Sequence, residues 1–449
     1  MNIINEFDTI AAISTPMGMG GVGVIRVSGE KSLEILSKIF KGKTPVNKFK
    51  PSRFYHGHII DNENILDEVL ILPFFAPNSY TGENVFEIQC HGGVQIVNTI
   101  LSLVLKNGAR LAEKGEFTKR AFLNKKLDLS QAEAVADLIH AKSKDFIIPS
   151  SKNLKGALSI KVKEIKNDIF EVLSRIIAGI DFPDDVAEPE YDYLITEFKN
   201  AINKINNILA SAKTSNILRQ GISVTIAGKP NVGKSSLFNT LLNHERAIVT
   251  EIAGTTRDVI KETLDLGMPV TLIDTAGIRE DNSIDKVEQI GIEYSKQSLD
   301  EADCVIFVYD SEQGILEEDN AILELINPNK LIKCANKSDI TQSANNDDAL
   351  NISALTGDGI EELKLKLKEK VCDINPEDLD YVTNLRQQAC LENAKKALSQ
   401  ALDAARINQL QDLISIDVKA ALLALDELSG EIITDDILNN IFDNFCIGK

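Results

Sequence analysis

The sequence predicts a multidomain fold of class α/β plus all-α: an N-terminal α+β domain, a central helical domain, and a P-loop (Ras-like) α/β domain inserted in the helical one. Three observations predict it. Short apolar runs of strand length, broken by glycine and proline, fill residues 1–120. Helical spacing takes over from about 125 and returns after 372. Between the two helical blocks, Ile222-Ser-Val-Thr-Ile-Ala227 runs into Gly228-Lys-Pro-Asn-Val-Gly-Lys-Ser235 and then Ser236-Leu-Phe-Asn-Thr-Leu-Leu242. That order is strand, glycine loop, helix.

In the first block, strands are expected at Thr9–Ser14, Gly23–Ser28, Ser52–Ile60, Glu68–Phe75 and Asn84–Cys90, with helices at Glu30–Phe40 and Gly93–Asn107. Gly18-Met-Gly-Gly-Val-Gly23 fits G-x-G-x-x-G, but Val22, Val24, Ile25 and Val27 continue it as a strand. A dinucleotide site needs a helix there, so none is assigned. Ser130-Gln-Ala-Glu133 reads as a capping box that opens a long helical run. Ile160–Ile180 and Tyr191–Ala212 extend it, parted by Asp181-Phe-Pro-Asp-Asp185. Helices return at Asn384–Ile407, Leu410–Ser429 and, after an N-cap at Thr434, Asp435–Phe445. The domains are therefore 1–120, then 121–219 with 373–449 as one helical domain, and 220–372 inserted in it. Two separate helical domains are the alternative.

Lys+Arg number 48 and Asp+Glu 67, a net charge of −19, so the chain lacks the basic face of a general nucleic-acid binder. No eighteen-residue apolar run and no basic leader occur, which predicts no membrane span and no signal peptide. The scattered cysteines form no C-x-x-C and fit a reducing cytoplasm.

The glycine loop is built for phosphate. Gly228 and Gly233 let backbone N–H groups converge, and the helix N-terminus adds positive potential. Lys234 suits the β/γ-phosphates and Ser235 a magnesium ion. Thr271-Leu-Ile-Asp-Thr-Ala-Gly277 is a strand ending in D-x-x-G, which places Asp274 near magnesium and Gly277 near a γ-phosphate. Leu331–Asp339 ends in N-K-x-D (Asn336, Lys337, Asp339). A carboxylate there accepts both edge hydrogens of guanine and stays unpaired with adenine, so GTP is the nucleotide. Ser353-Ala-Leu355 matches the last guanine-contacting loop. Ile278 stands where many such enzymes carry a water-orienting glutamine, so another group must orient water.

G-K-P-N-V-G-K-S, the Thr250–Asp258 stretch T-E-I-A-G-T-T-R-D, D-T-A-G-I-R-E and N-K-S-D resemble GTPases that use potassium in place of an arginine finger. Gly20–Arg26, Ser79–Glu83, His91-Gly-Gly93, Gly115–Asn124 and Phe445-Cys-Ile-Gly-Lys449 narrow the resemblance to the tRNA-modification GTPase family called MnmE or TrmE, over the whole chain. The resemblance implies nucleotide contacts from Asn231, Val232, Gly233, Lys234, Ser235 and Ser236, and from Thr250, Glu251, Ile252, Ala253, Gly254, Thr255 and Thr256. Asp274, Thr275, Ala276, Gly277, Asn336, Lys337, Asp339, Ser353, Ala354 and Leu355 complete them. Asn231, Thr250, Ile252 and Thr255 would hold potassium, and Ser235 and Thr256 magnesium. Glu288 matches the water-orienting acid, although about two extra residues precede it; a solvated helix face is its other reading. Arg26, Glu87, Lys126 and Lys449 match a 5-formyl-tetrahydrofolate site. Cys446 is either a nucleophile or an inert thiol. The family also implies a homodimer, a flavin- and NADH-dependent partner, and addition of a carboxymethylaminomethyl group to C5 of the wobble uridine (U34) of certain tRNAs. A ribosome-assembly or RNA-binding GTPase without modification activity is the runner-up.

Overall fold

The computed structural model describes residues 8–245, 261–266, 268–274, 299, 301–341, 348–372 and 378–449. Contacts divide the chain into two compact units, Met1–Ala136 with Asp426–Lys449, and Asp137–Leu425.

The first unit is built on a seven-stranded sheet in the order β3-β4-β5-β6-β2-β1-β7. Its strands are β1 (Ile10–Ile13), β2 (Val22–Ser28), β3 (Phe40–Gly42), β4 (Tyr55–Asp61), β5 (Asn64–Phe74), β6 (Val85–His91) and β7 (Arg110–Leu111). All neighbours are antiparallel except β1 and β7. Alternation sorts each strand between two faces. Ala11, Ile25, Val27, Ile59, Val69, Ile71, Phe86 and Ile88 enter one core with α1 (Ser32–Ile39) and α2 (Val94–Lys106). Ile10 and Ala12 turn the other way, into a small cluster with Ala112 and Phe117. Phe117 lies on α3 (Glu116–Leu123), which precedes α4 (Leu129–His140).

Within Gly18–Gly23, space is open around Gly18 and Gly21, whereas Gly23 sits against the Val97 side chain and Gly20 meets the Gly92 backbone. Gly20 N–H donates to Gly92 O at 3.0 Å, and a Cβ on Gly92 would stand 2.4 Å from Gly20 O. The G-x-G-x-x-G stretch leads into β2, as its apolar continuation predicts. One correction concerns α4. Its capping box is Asp128 with Gln131: Gln131 N–H donates to Asp128 Oδ1 and Asp128 N–H to Gln131 Oε1. Ser130 lies inside the first turn, and its buried hydroxyl has no hydrogen-bond partner among the described residues.

The second unit carries a six-stranded sheet in the order β13-β12-β11-β8-β10-β9, parallel except for β9. These are β8 (Ile222–Ala227), β9 (Lys261–Asp265), β10 (Pro269–Asp274), β11 (Cys304–Asp310), β12 (Leu331–Asn336) and β13 (Ala349–Asn351). β11 is buried along its whole length, as a central strand covered on both faces must be. Helices α5 (Lys144–Leu154), α6 (Ala157–Asp181), α7 (Tyr191–Leu209) and α8 (Ala212–Gln220) precede the sheet. The run expected at Tyr191–Ala212 therefore ends early, and a separate helix leads into β8. Within and after the sheet come α9 (Lys234–Glu245), α10 (Glu317–Leu323), α11 (Ile360–Val371), α12 (Leu385–Arg406) and α13 (Gln411–Ser429). α7 packs against both α6 and α12. Phe146 of α5 and Leu218 of α8 join the sheet's core beside Ile222, Val224 and Leu264. The last helix, α14 (Asp435–Phe442), belongs to the first unit, where Leu438, Phe442 and Phe445 pack on Leu129 and Ala132. Among the described residues, no helix is long and apolar enough to cross a membrane.

Candidate functional site

The phosphate loop joins β8 to α9. Gly228 (φ +143°), Asn231 (φ +67°) and Gly233 (φ +95°) put three positive-φ residues in one turn. Curling of that kind points successive N–H groups inward. The glycines are also required by space. A Cβ on Gly228 would lie 2.2 Å from Val308 O, and one on Gly233 2.2 Å from Asn336 Nδ2. Lys234, the first residue of α9, donates from Nζ to the loop's own carbonyls, Gly228 O at 2.8 Å and Lys229 O at 2.6 Å. Ser235 and Ser236 follow, exposed on the first turn, while Val232 is buried. Asp274 ends β10 in register with Ile226, so the parallel pairing sets it beside the start of the loop.

Asn336 binds the site together. Its Nδ2 donates to Val232 O at 2.9 Å, and its Oδ1 accepts from Ala354 N–H at 2.9 Å. One buried amide thus links the phosphate loop to the Ser353–Leu355 loop. Ser353 Oγ donates to Asp339 Oδ1 at 2.6 Å and orients the carboxylate. Lys337, at φ +68°, pairs its ammonium with Asp310 at 2.7 Å. Burial alone would raise the Asp310 carboxyl, but Lys337 and the Glu312 N–H hold it below the usual range. Leu355 is exposed. Spacing alone did not reveal Asp310, because it closes β11, outside every nucleotide motif. Thr250, Glu251, Ile252, Ala253, Gly254, Thr255, Thr256, Thr275, Ala276, Gly277 and Glu288 lie outside the described residues.

A second constellation occupies the first unit. Antiparallel pairing sets Arg26 of β2 opposite Glu87 of β6, and Arg26 Nε and Nη2 reach Glu87 Oε1 at 2.9 and 2.8 Å. The rings of Tyr80 and Phe117 each lie 5.6 Å from the guanidinium. The C-terminal segment comes back to the same place. Gly448 O accepts from Arg26 Nη1 at 3.5 Å and Ser14 Oγ at 3.2 Å, and Lys449 O accepts from Phe117 N–H at 3.2 Å. The structure therefore unites Arg26, Glu87 and the chain end around Lys449. Lys126 donates to Pro77 O at 3.0 Å, on the segment that leads to Tyr80. Tyr80 and Phe117 escaped the sequence reading, although both lie in motifs quoted for the resemblance. The arrangement offers a half-buried ion pair beside aromatic faces, which suits a flat, polar ring system.

Cys446 is exposed next to these residues in sequence, and its carbonyl accepts from Gly115 N–H at 3.4 Å. Like Cys446, the other described cysteines form no disulfide. Burial pushes Cys90 and Cys304 up to about 11 and raises Cys334 further, which leaves them inert.

A family model described as MnmE helical domain matches residues 129–446, and one described as GTP-binding protein TrmE N-terminus matches residues 9–126. The chain is 43% identical over 460 residues to the tRNA modification GTPase MnmE of Thermoanaerobacter sp. (strain X514), covering 99% of this chain and 100% of that protein. It is also 43% identical to the protein of the same name from Clostridioides difficile (strain 630), over 98% of this chain and 99% of that one. Among solved structures, Era of Aquifex aeolicus bound to GDP and AlF4⁻ is 31% identical over 39% of this chain and 66% of that one, with a TM-score of 0.28. The G domain of the T. maritima FeoB iron transporter is 27% identical over 33% of this chain and 98% of that one, with a TM-score of 0.24.

Proposed function

The chain belongs to the MnmE family of tRNA modification GTPases, and from that premise we propose that it hydrolyses GTP under potassium activation while serving wobble-uridine modification. The observation that carries the reading is Asn336, which ties the phosphate loop to both guanine-recognition loops through two hydrogen bonds of 2.9 Å. The chain's own residues grip the β/γ-phosphates with the loop amides and Lys234, and read guanine with Asp339. Asn231 with Thr250, Ile252 and Thr255 would hold potassium, which supplies positive charge beside the β/γ-bridge. Ser235 and Thr256 would hold magnesium, and Glu288 would orient water. Asn231 suits the potassium role by its chemistry: it lies exposed on the loop and carries an amide oxygen, a ligand type that replaces the water of a monovalent cation.

The three-part division 1–120, 121–219 with 373–449, and 220–372 belongs to this proposal. So do a cytoplasmic homodimer and a heterotetramer with a flavin- and NADH-dependent partner, acting on tRNA. The Arg26–Glu87 pair, with Lys126 and Lys449, would hold 5-formyl-tetrahydrofolate or a related folate, which supplies the one-carbon unit of the carboxymethylaminomethyl group. Cys446 is the nearby exposed thiol. The test is GTP turnover in potassium against sodium at equal ionic strength. We expect at least about a hundredfold faster hydrolysis in potassium, the low end for one group that stabilises transition-state charge. Equal rates would reject the cation's role.

A further inference from the structure

The geometry points to Asp310, outside every nucleotide-binding motif, as the positioning residue that sets the guanine-recognition loop by holding Lys337. The inference rests on the GTP-binding reading and deepens it. Asp310 is the last residue of β11 and lies buried, with its side chain turned to the Lys337 ammonium at 2.7 Å. Lys337 adopts φ +68°, a conformation that a side-chain-bearing residue keeps only when its surroundings hold it. The holding comes from the turn after β11. Ser311 N–H donates to Asn336 O at 2.9 Å, and Ser311 Oγ donates to Lys337 O at 3.2 Å. Asp310 is itself fixed, since its Oδ1 accepts Glu312 N–H at 3.0 Å and its carbonyl accepts Gly314 N–H at 3.0 Å. The loop that carries Asn336, Lys337 and Asp339 is thus clamped at backbone and side chain from the neighbouring strand.

Without the carboxylate, the Lys337 ammonium loses its anchor and the side chain can leave the base site, while Ser311 still holds the backbone beneath it. Ground-state binding weakens, and the chemical step does not. Removing uniform binding raises KM and leaves kcat alone.

The experiment is a double-mutant cycle on the full chain, reading GTP turnover and GDP affinity. Asp310→Ala should raise the KM for GTP and the Kd for GDP by about tenfold, with kcat within about twofold, a size typical of one charged hydrogen bond. Asp310→Asn, which keeps an acceptor, should recover part of the loss. In a Lys337→Met background, Asp310→Ala should change KM less than about twofold, because the group it acts through is gone. An unchanged KM in Asp310→Ala, or an equal effect in both backgrounds, would overturn the proposal. If Asp310→Ala does not fold, Asp310→Asn takes its place in the cycle. Wild-type protein that binds no GDP would instead reject the GTP-binding reading.

Discussion

Gly228 shows how tightly one residue is constrained where two backbone segments meet. Its φ of +143° is cheap only without a side chain, and an added Cβ meets the carbonyl oxygen of Val308, at 2.2 Å, with no side chain able to yield. Gly228→Ala should displace the loop and weaken GTP binding at least about tenfold, with a stability loss of about 1–3 kcal/mol. Titration calorimetry with GDP and thermal melting check both. The residues assigned to nucleotide stand out in the sequence because the chemistry proposed for them needs contiguous positions. Asp310, Tyr80 and Phe117 do not. Each acts on a partner far away in sequence, and no local spacing marks such a contact.

At the scale of elements, hydrophobic alternation placed five of the first unit's strands and missed the short β3 and β7, and β5 is longer than its apolar run because Asn64 to Asp67 pair with β4 in a hairpin. The start of α4 was harder. Asp128-x-x-Gln131 and Ser130-x-x-Glu133 are overlapping capping patterns two residues apart, and propensity does not choose between them. Packing does: Leu129 and Ala132 must face Phe442 and Phe445, which puts Asp128 at the N-cap. Asp128→Ala should therefore destabilise the first unit by about 1 kcal/mol, the usual loss for a cap. Ser130→Ala should be neutral or slightly stabilising, since the hydroxyl it removes is buried without a partner among the described residues. Urea unfolding of the two variants separates these outcomes; the reverse order would restore Ser130 as the cap. The break between α7 and α8 carries no proline or glycine, so periodicity ran through it.

For the molecule as a whole, an acid–base network within the first unit joins segments far apart in the chain. Arg120 bonds Asp8, Glu83 and Glu116, while Arg110 bonds Asp8 and Glu116. Burial alone would raise the Asp8 and Glu116 carboxyls, but the two arginines outweigh it and hold both below their ordinary 3.8 and 4.5. A carboxyl depressed by folding contributes stability above its unfolded value, and that contribution is lost as pH falls through its folded value. Arg120→Ala should destabilise the protein by about 3 kcal/mol at pH 7, because it leaves the buried Glu116 and the half-buried Asp8 and Glu83 short of a partner. The difference from wild type should shrink as pH falls through the lowered folded values of the two acids. Denaturant unfolding at pH 7 and pH 3 measures it; a difference independent of pH would assign the loss to packing. By itself, the sequence determined the phosphate loop, the preference for guanine and the helical flanks, since each follows from residues a few positions apart and the backbone geometry they demand. Only the tertiary structure decided that Arg26 meets both Glu87 and Gly448 O, across separations of 61 and 422 positions. Strand register and the return of the C-terminal segment create that meeting, and both are set by how apolar faces pack.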